Sequence, residues 1–325
     1  VTSAFTVTAP CSTSNLGAGF DALGIALGGP RLIIRCKPAA PGQGLRITDL
    51  TGLGKDSLPR DATNRVLVAA QIAARGIGAD YPSFSGDLTI DNSVPLARGL
   101  GSSAAAAVAG ALLAEALHAR LQSDWHANDS GSMRSERFDD ARVLATALSM
   151  EGHPDNVIAC LRGGAQVAVL DAGGVVRACP ITPPVTLRAA IFIPDQELKT
   201  SEARAVIPRT VPLADAVFNL SRAALFVAAM AAGRFELIGE AMGDRLHQPP
   251  RTALMPWLPD LIQAARDAGA LGAALSGAGT TVFSLCLPDD AADVAEALRK
   301  RANELGVPGS TESVEACALG ARIES

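Results

Sequence analysis

One stretch limits the possible folds more than any other. Residues 95–107 read PLARGLGSSAAAA, and the small-residue run continues as a helix to about Arg120. Two glycines flank a leucine, two serines follow, and a long helix of tiny residues starts at once. Gly99 and Gly101 let the backbone approach a ligand closely. Ser102 and Ser103 fall where a first helical turn leaves its N–H groups unpaired, and the positive end of the helix dipole favours an anion there. The segment is built as a phosphate cradle, with Arg98 adding a cation at its rim. Serine is also an ordinary N-cap, so a plain capped helix start is the competing reading. The same letters fit a dinucleotide-binding GxGxxA ending at Ala104, but the acidic residue expected after a following strand is missing. Glu115 lies inside the helix, and residues 91–95 separate the glycines from the preceding strand. A Walker A loop is excluded, because Gly54-Lys55 is followed by Asp56 and no Gly-Lys-Ser or Gly-Lys-Thr occurs.

Only 4% of the residues are aromatic, so the core has to be built from Ala, Leu, Val and Ile. With 48% hydrophobic and 19% charged residues the chain reads as a folded protein, its 325 residues making one large domain or two ordinary ones. A formal net charge of −5 argues against a general nucleic-acid binder, whereas a small anion needs only two or three local cations. No run reaches the roughly 18 uninterrupted apolar residues of a membrane span, and the nearest, residues 103–117, carries Glu115. The opening VTSAFTVTAP has neither the basic nor the apolar region of a signal peptide, so the expectation is a cytoplasmic protein with no membrane partner. Six cysteines without a CxxC pair read as buried free thiols, and four dispersed histidines without HExxH give no metal framework.

Periodicity orders the rest. Residues 4–9 alternate like a strand, 23–37 form a second extended stretch broken at 28–30, 64–75 have helical spacing, and 85–91 alternate again. Residues 123–137 are polar and turn-rich and read as a surface loop; a helix to about Met150, a loop, and a strand at 165–170 follow. The second half opens near residues 180–184. It carries strands at 187–193, 271–275, 281–287 and 312–319, and helices at 213–232, 259–268 and 290–305. Without a strict βαβ alternation, the class is α+β.

PLARGLGSSAAA resembles the second motif of the GHMP kinase superfamily, PxxxGLGSSAA. Far along the chain, residues 274–283 (ALSGAGTTVF) resemble its third motif, a small-residue turn that closes over the phosphate loop; Thr280 stands where the family usually has proline. Residues 9–27 (APCSTSNLGAGFDALGIAL) are similar to the APxTSANLGxGFDxxGxAL of homoserine kinases and unlike the matching motifs of galactokinases and mevalonate kinases. Residues 151–164 (EGHPDNVIACLRGG), 199–209 (KTSEARAVIPR) and 244–256 (DRLHQPPRTALMP) resemble that group's EGHPDNxAPAxxGG, TxxARxxLP and DxxxxPxRxxLxP. Singly, each has a plain reading: Asn15 and Asp21 are common turn formers, SGAG is a common turn, and surface arginines are usually solvated.

The resemblance implies a two-domain GHMP kinase fold. Residues 1–180 would be similar to ribosomal protein S5 domain 2 and bind ATP, residues 181–325 would be ferredoxin-like, and ATP and an alcohol would share the cleft. It implies phosphorylation of L-homoserine by ATP to O-phospho-L-homoserine, a step of threonine biosynthesis. For ATP it marks Asn64 on the adenine side, and Pro95, Leu96, Ala97, Arg98, Gly99, Leu100, Gly101, Ser102, Ser103 and Ala104, with Gly277, around the phosphates. Mg²⁺ would rest on Ser103 and Glu151; the metal-binding Glu of better-known relatives lies further upstream, where this chain has Ala145 and Ala147. Asn15, Asp21, His153, Arg204 and Arg251 form the substrate set, with Asp21 suited to an ammonium and the two arginines to a carboxylate. Asn156, Asp155 and Arg98 form the catalytic set, in which a neutral Asn156 orients the hydroxyl because it cannot take a proton. A kinase for another small hydroxy amino acid such as threonine, and a non-catalytic ligand-binding relative, are the alternatives; a homodimer stays open.

Overall fold

The N-terminal alternation becomes a long antiparallel hairpin, β1 (Phe5–Asn15) and β2 (Gly19–Pro38), in the computed structural model, which describes residues 3–40, 42–122, 132–133 and 140–324. The break expected at 28–30 is a bulge inside one continuous strand. Pro10 faces Arg31 and Cys11 faces Leu27, so the residues between them loop out without ending the ladder. β3 (Leu45–Gly52), α1 (Arg65–Ile77), β4 (Gly86–Asn92), α2 (Ser102–Leu121) and β5 (Ser132–Met133) follow. Then come α3 (Asp140–Glu151), α4 (Asp155–Arg162), β6 (Ala165–Leu170) and β7 (Val176–Ile181). The second half contains β8 (Arg188–Pro194), α5 (Thr200–Ala205), α6 (Leu213–Ala232), α7 (Ile238–Ala241), α8 (Gln248–Arg251) and α9 (Leu258–Asp267). It ends with β9 (Gly272–Leu275), β10 (Val282–Cys286), α10 (Ala291–Glu304), β11 (Gly309–Glu315) and β12 (Arg322–Glu324).

Two sheets result. The first runs β3-β4-β2-β1-β12-β5, with β6 attached to residues 23–25 of β2 and β7 outside β6; the second is β11-β8-β10-β9, antiparallel throughout. The first sheet's β7 runs through Ile181 and the second sheet's β8 starts at Arg188, yet the last strand, β12, returns to pair with β1 of the first sheet. The strand expected at 312–319 starts earlier and stops at Glu315, since Cys317 takes φ +60° and cannot continue a ladder. The loop expected after Met150 holds the short helix α4, started by Pro154 and Asp155; its two turns are too few for periodicity to reveal. Most of 123–137 lies outside the described residues, and Ser132–Met133 within it pairs with β12.

α2 occupies the interior. Most of it is buried, and Gly110 lets α1 come so close that a Cβ there would lie 2.2 Å from the Val66 carbonyl oxygen. Its one buried charge, Glu115, receives two bonds from Arg142 of α3, at 3.0 and 3.1 Å. By length and composition both α2 and α6 could cross a membrane; α2 is enclosed by the fold, while α6 leaves Leu213, Val217 and Leu220 exposed. One apolar cluster spans the seam, bringing Leu16, Leu23 and Leu100 of the first half against Ile191, Phe226 and Phe283 of the second. The cleft described below sits beside that seam. Four cysteines are buried as expected, and burial pushes the Cys11 thiol up to about 12; Cys179 is exposed and Cys317 half-buried.

Candidate active site

The cradle forms where the chain enters α2. Gly101 precedes the helix at φ +68° and supplies no side-chain cap, so the first-turn N–H groups keep their capacity for a ligand. Both glycines are also required by packing behind the loop. A Cβ on Gly99 would stand 2.1 Å from the Ser276 carbonyl oxygen, and one on Gly101 2.3 Å from Ser12 Oγ. The SGAG turn therefore lies directly behind the cradle, where Ser276 Oγ donates to the Gly99 carbonyl at 2.6 Å and Thr281 N to the Arg98 carbonyl at 3.1 Å. Ser103 Oγ donates to Glu151 Oε1 at 2.6 Å, at the C-terminal end of α3, and Arg65 reaches the same oxygen at 2.5 Å. Beside Ser102 and Ser103 opens a cavity of about 380 Å³ walled by Leu32, Leu50, Leu58, Val66 and Ile90. Asn64 is at its edge, accepting from Val66 N as the N-cap of α1 and donating to the Pro59 carbonyl at 2.7 Å.

Across the cleft, the β1–β2 turn is wound through unusual backbone. Asn15, Leu16 and Asp21 all have positive φ, as does Ala97 next to the cradle. Asn15 braces this turn: its Oδ1 accepts from Asp21 N at 3.0 Å and its Nδ2 donates to the Gly277 carbonyl at 2.8 Å. Asp21 is gripped by Arg204 of α5 through bonds of 2.6 and 3.1 Å. Arg251, 1% exposed, donates to the carbonyls of Ala203 and Gly277 and to His247 Nδ1. Burial, followed by the neighbouring Arg204 charge, pulls its pKa down to about 10, so it stays charged at neutral pH. Asp155 Oδ1 lies 2.7 Å from both His153 Nδ1 and Asn156 N. Burial lowers the His153 pKa, but the Asp155 bond and charge outweigh it and leave the net above 6.5. Asn156 is locked at both ends of its amide, accepting from Ser12 Oγ at 2.9 Å and donating to Ser14 Oγ at 2.8 Å.

The family described as GHMP kinases N terminal domain matches residues 64–164, and GHMP kinases C terminal matches 226–304. The chain is 42% identical to a homoserine kinase of Deinococcus radiodurans, over 88% of this chain and 84% of that one. It is 39% identical to one from Solibacter usitatus, over 86% and 84%. The chain belongs to the homoserine kinase family. In solved structures, a homoserine kinase from Cytophaga hutchinsonii superposes with a TM-score of 0.82 at 28% identity, covering 99% of this chain and 98% of that one. The L. major mevalonate kinase, at 16% identity and TM-score 0.68, shares the fold. The two-domain GHMP kinase architecture expected from the motifs is the one observed.

For a homoserine kinase, the arrangement differs from the sequence expectation in two places. The Arg98 guanidinium does not point at the cradle: it donates to the carbonyls of Leu96, Pro194 and Asp195 and meets Glu197, clamping the loop to the end of β8. Asp21 and Arg204, expected to serve opposite ends of a substrate, are paired with each other. Arg98, Asp21 and Arg204 still line one cleft with Asn15, His153, Asp155, Asn156, Arg251, Gly277, Glu151 and residues 99–103, whereas Asn64 and Leu96 line the adjoining apolar cavity and Ala104 is buried in α2. Sequence reasoning passed over Ser12 and Ser14, which orient Asn156, and Arg65, Phe20 and His247. The two serines lie two apart on one face of β1 and are themselves buried, so each hydroxyl needs a partner inside the fold.

Proposed function

We propose that this cleft transfers the terminal phosphoryl group of ATP to the hydroxyl of L-homoserine, with the adenine in the apolar cavity beside Asn64 and the phosphates along residues 99–103. The observation that carries the reading is a single cleft holding an uncapped helix start, a carboxylate–guanidinium pair and an amide fixed at both ends. A zwitterion matches the pair. Its ammonium takes Asp21 and its carboxylate takes Arg204 with Arg251, so the substrate's own charges replace the Asp21–Arg204 contact. Residues 1–180 then serve as the ATP-binding unit and 181–325 as the second, in a cytoplasmic enzyme.

Phosphoryl transfer through a loose transition state needs alignment and neutralisation of charge more than covalent help. The α2 N–H groups supply fixed donors to the phosphates. Ser103 and Glu151 offer a hydroxyl and a carboxylate oxygen 2.6 Å apart at the cradle, a hard oxygen set that fits Mg²⁺. When bound there, the ion neutralises phosphate charge; Arg65 keeps the Glu151 carboxylate turned toward the cradle. Asn156 orients the homoserine hydroxyl with the amide capacity that Ser12 and Ser14 leave unused, while Asp155 holds its backbone N–H and His153. No proton moves to Asn156, so the hydroxyl proton departs late, toward the transferred phosphate. The test is an ADP-release assay across homoserine, threonine, serine and mevalonate. Homoserine is expected to give the highest kcat/KM, and a higher value for threonine or mevalonate refutes the assignment.

A further inference from the structure

His247 is completely buried between the segments that carry the substrate-side residues. Its Nδ1 lies 3.0 Å from Arg251 Nη1 and its Nε2 2.8 Å from the Gly17 carbonyl oxygen. A guanidinium only donates and a carbonyl only accepts, so the partners fix the tautomer: Nδ1 accepts and Nε2 carries the proton. The imidazole stacks on Phe20, with centroids 5.1 Å apart and planes 17° from parallel, and the Phe20 ring lines the cleft with the Arg204 and Arg251 guanidinium carbons 5.4 and 5.8 Å from its centroid. Nε and Nη1 of Arg251 are committed to the protein, while Nη2 has no bond among the described residues and is what Arg251 can offer a ligand.

We propose that His247 is a positioning residue of the homoserine site: its Nδ1 lone pair sets the rotation of the Arg251 guanidinium, and its Nε2–H holds the carbonyl of the turn that carries Asn15 and Asp21. The proposal rests on the assignment of Arg251 to the substrate carboxylate. Protonation would remove the Nδ1 lone pair and put a second positive charge against Arg251. Burial first, then Arg251, keeps the imidazole below its ordinary 6.5, against the pull of Asp244, whose Oδ2 is 3.6 Å from Nε2, of the Gly17 carbonyl and of Asp21. The ring is neutral at neutral pH, and the device fails only in acid.

Three substitutions separate the two bonds. His247→Asn keeps an acceptor near the Nδ1 position and loses the Nε2 donor, His247→Gln does the converse, and His247→Leu removes both. KM for homoserine, KM for ATP and kcat are measured on the full chain at neutral pH, with melting temperatures alongside. His247→Gln and His247→Leu are expected to raise homoserine KM about fivefold or more with ATP KM within about twofold, the loss of one charge-assisted contact. His247→Asn recovers most of that loss. The proposal is overturned if His247→Gln leaves homoserine KM at the wild-type value, if both KM values rise together, or if His247→Asn restores none of the loss. Arg251→Ala tests the underlying assignment. An unmoved homoserine KM there removes Arg251 from the substrate, whereas a raised one beside a silent His247→Gln removes His247 alone.

Discussion

Replacing Asp21 with Asn is expected to move two related ligands in opposite directions. In the proposed complex homoserine brings an ammonium and a carboxylate to the Asp21–Arg204 pair; 4-hydroxybutyrate has the same hydroxyl and carboxylate but no ammonium. To bind, it must take Arg204 away from Asp21 and leave that carboxylate uncompensated. The side chains are 35% and 37% exposed, so solvent screening limits the pair itself to about 0.2–1 kcal/mol. The Asp21→Asn variant costs homoserine a charge-assisted bond of about 1.5–3 kcal/mol, roughly a ten- to hundredfold loss of affinity. The same change spares 4-hydroxybutyrate the opening of the pair and the adjacent negative charge, a gain of up to about fivefold from the pair alone. Calorimetric Kd values for both ligands on both proteins, without ATP, give the answer directly. If Asp21→Asn weakens 4-hydroxybutyrate as well as homoserine, the substrate does not displace the ion pair and the argument is wrong.

Three further outcomes are expected. Gly99→Ala forces a Cβ to 2.1 Å from the Ser276 carbonyl oxygen at a φ of +77°, adding about 1–2 kcal/mol of backbone strain to the clash, so Tm falls and ATP KM rises; an unchanged ATP KM would falsify the close packing of SGAG behind the cradle. Glu151→Gln keeps the size and removes the charge, so the Mg²⁺ concentration for half-maximal rate rises and kcat drops; an identical Mg²⁺ titration takes Glu151 out of the metal site. Arg98→Ala strips donors from three carbonyls and is expected to lower Tm with a loss of kcat below about tenfold, less than removal of a direct transition-state donor costs. A kcat loss above about a hundredfold at unchanged Tm returns Arg98 to the phosphates.

The cradle and the helix behind it were legible in the sequence because both depend on contiguous residues. Positive φ at Gly99 and Gly101 and burial of an alanine-rich helix follow from residue types within one short segment, whereas the structure decided between a capped and an uncapped first turn at Ser102. The bulge at 28–30 was visible as a break for the same reason, though whether the strand resumed depended on Pro10 and Cys11 opposite it. Charge pairing is different, because a guanidinium takes whichever carboxylate or carbonyl the fold brings nearest. Arg204 and Asp21 are 183 positions apart in the chain, Arg98 meets carbonyls nearly a hundred positions away at the end of β8, and His247 reaches Gly17 across 230. No spacing rule relates such positions. Tertiary structure alone decided that Arg98 clamps the loop, that Asp21 and Arg204 hold each other, and that a histidine from a proline-rich turn supports Arg251, since each depends on the seam that brings both halves of the chain to one cleft.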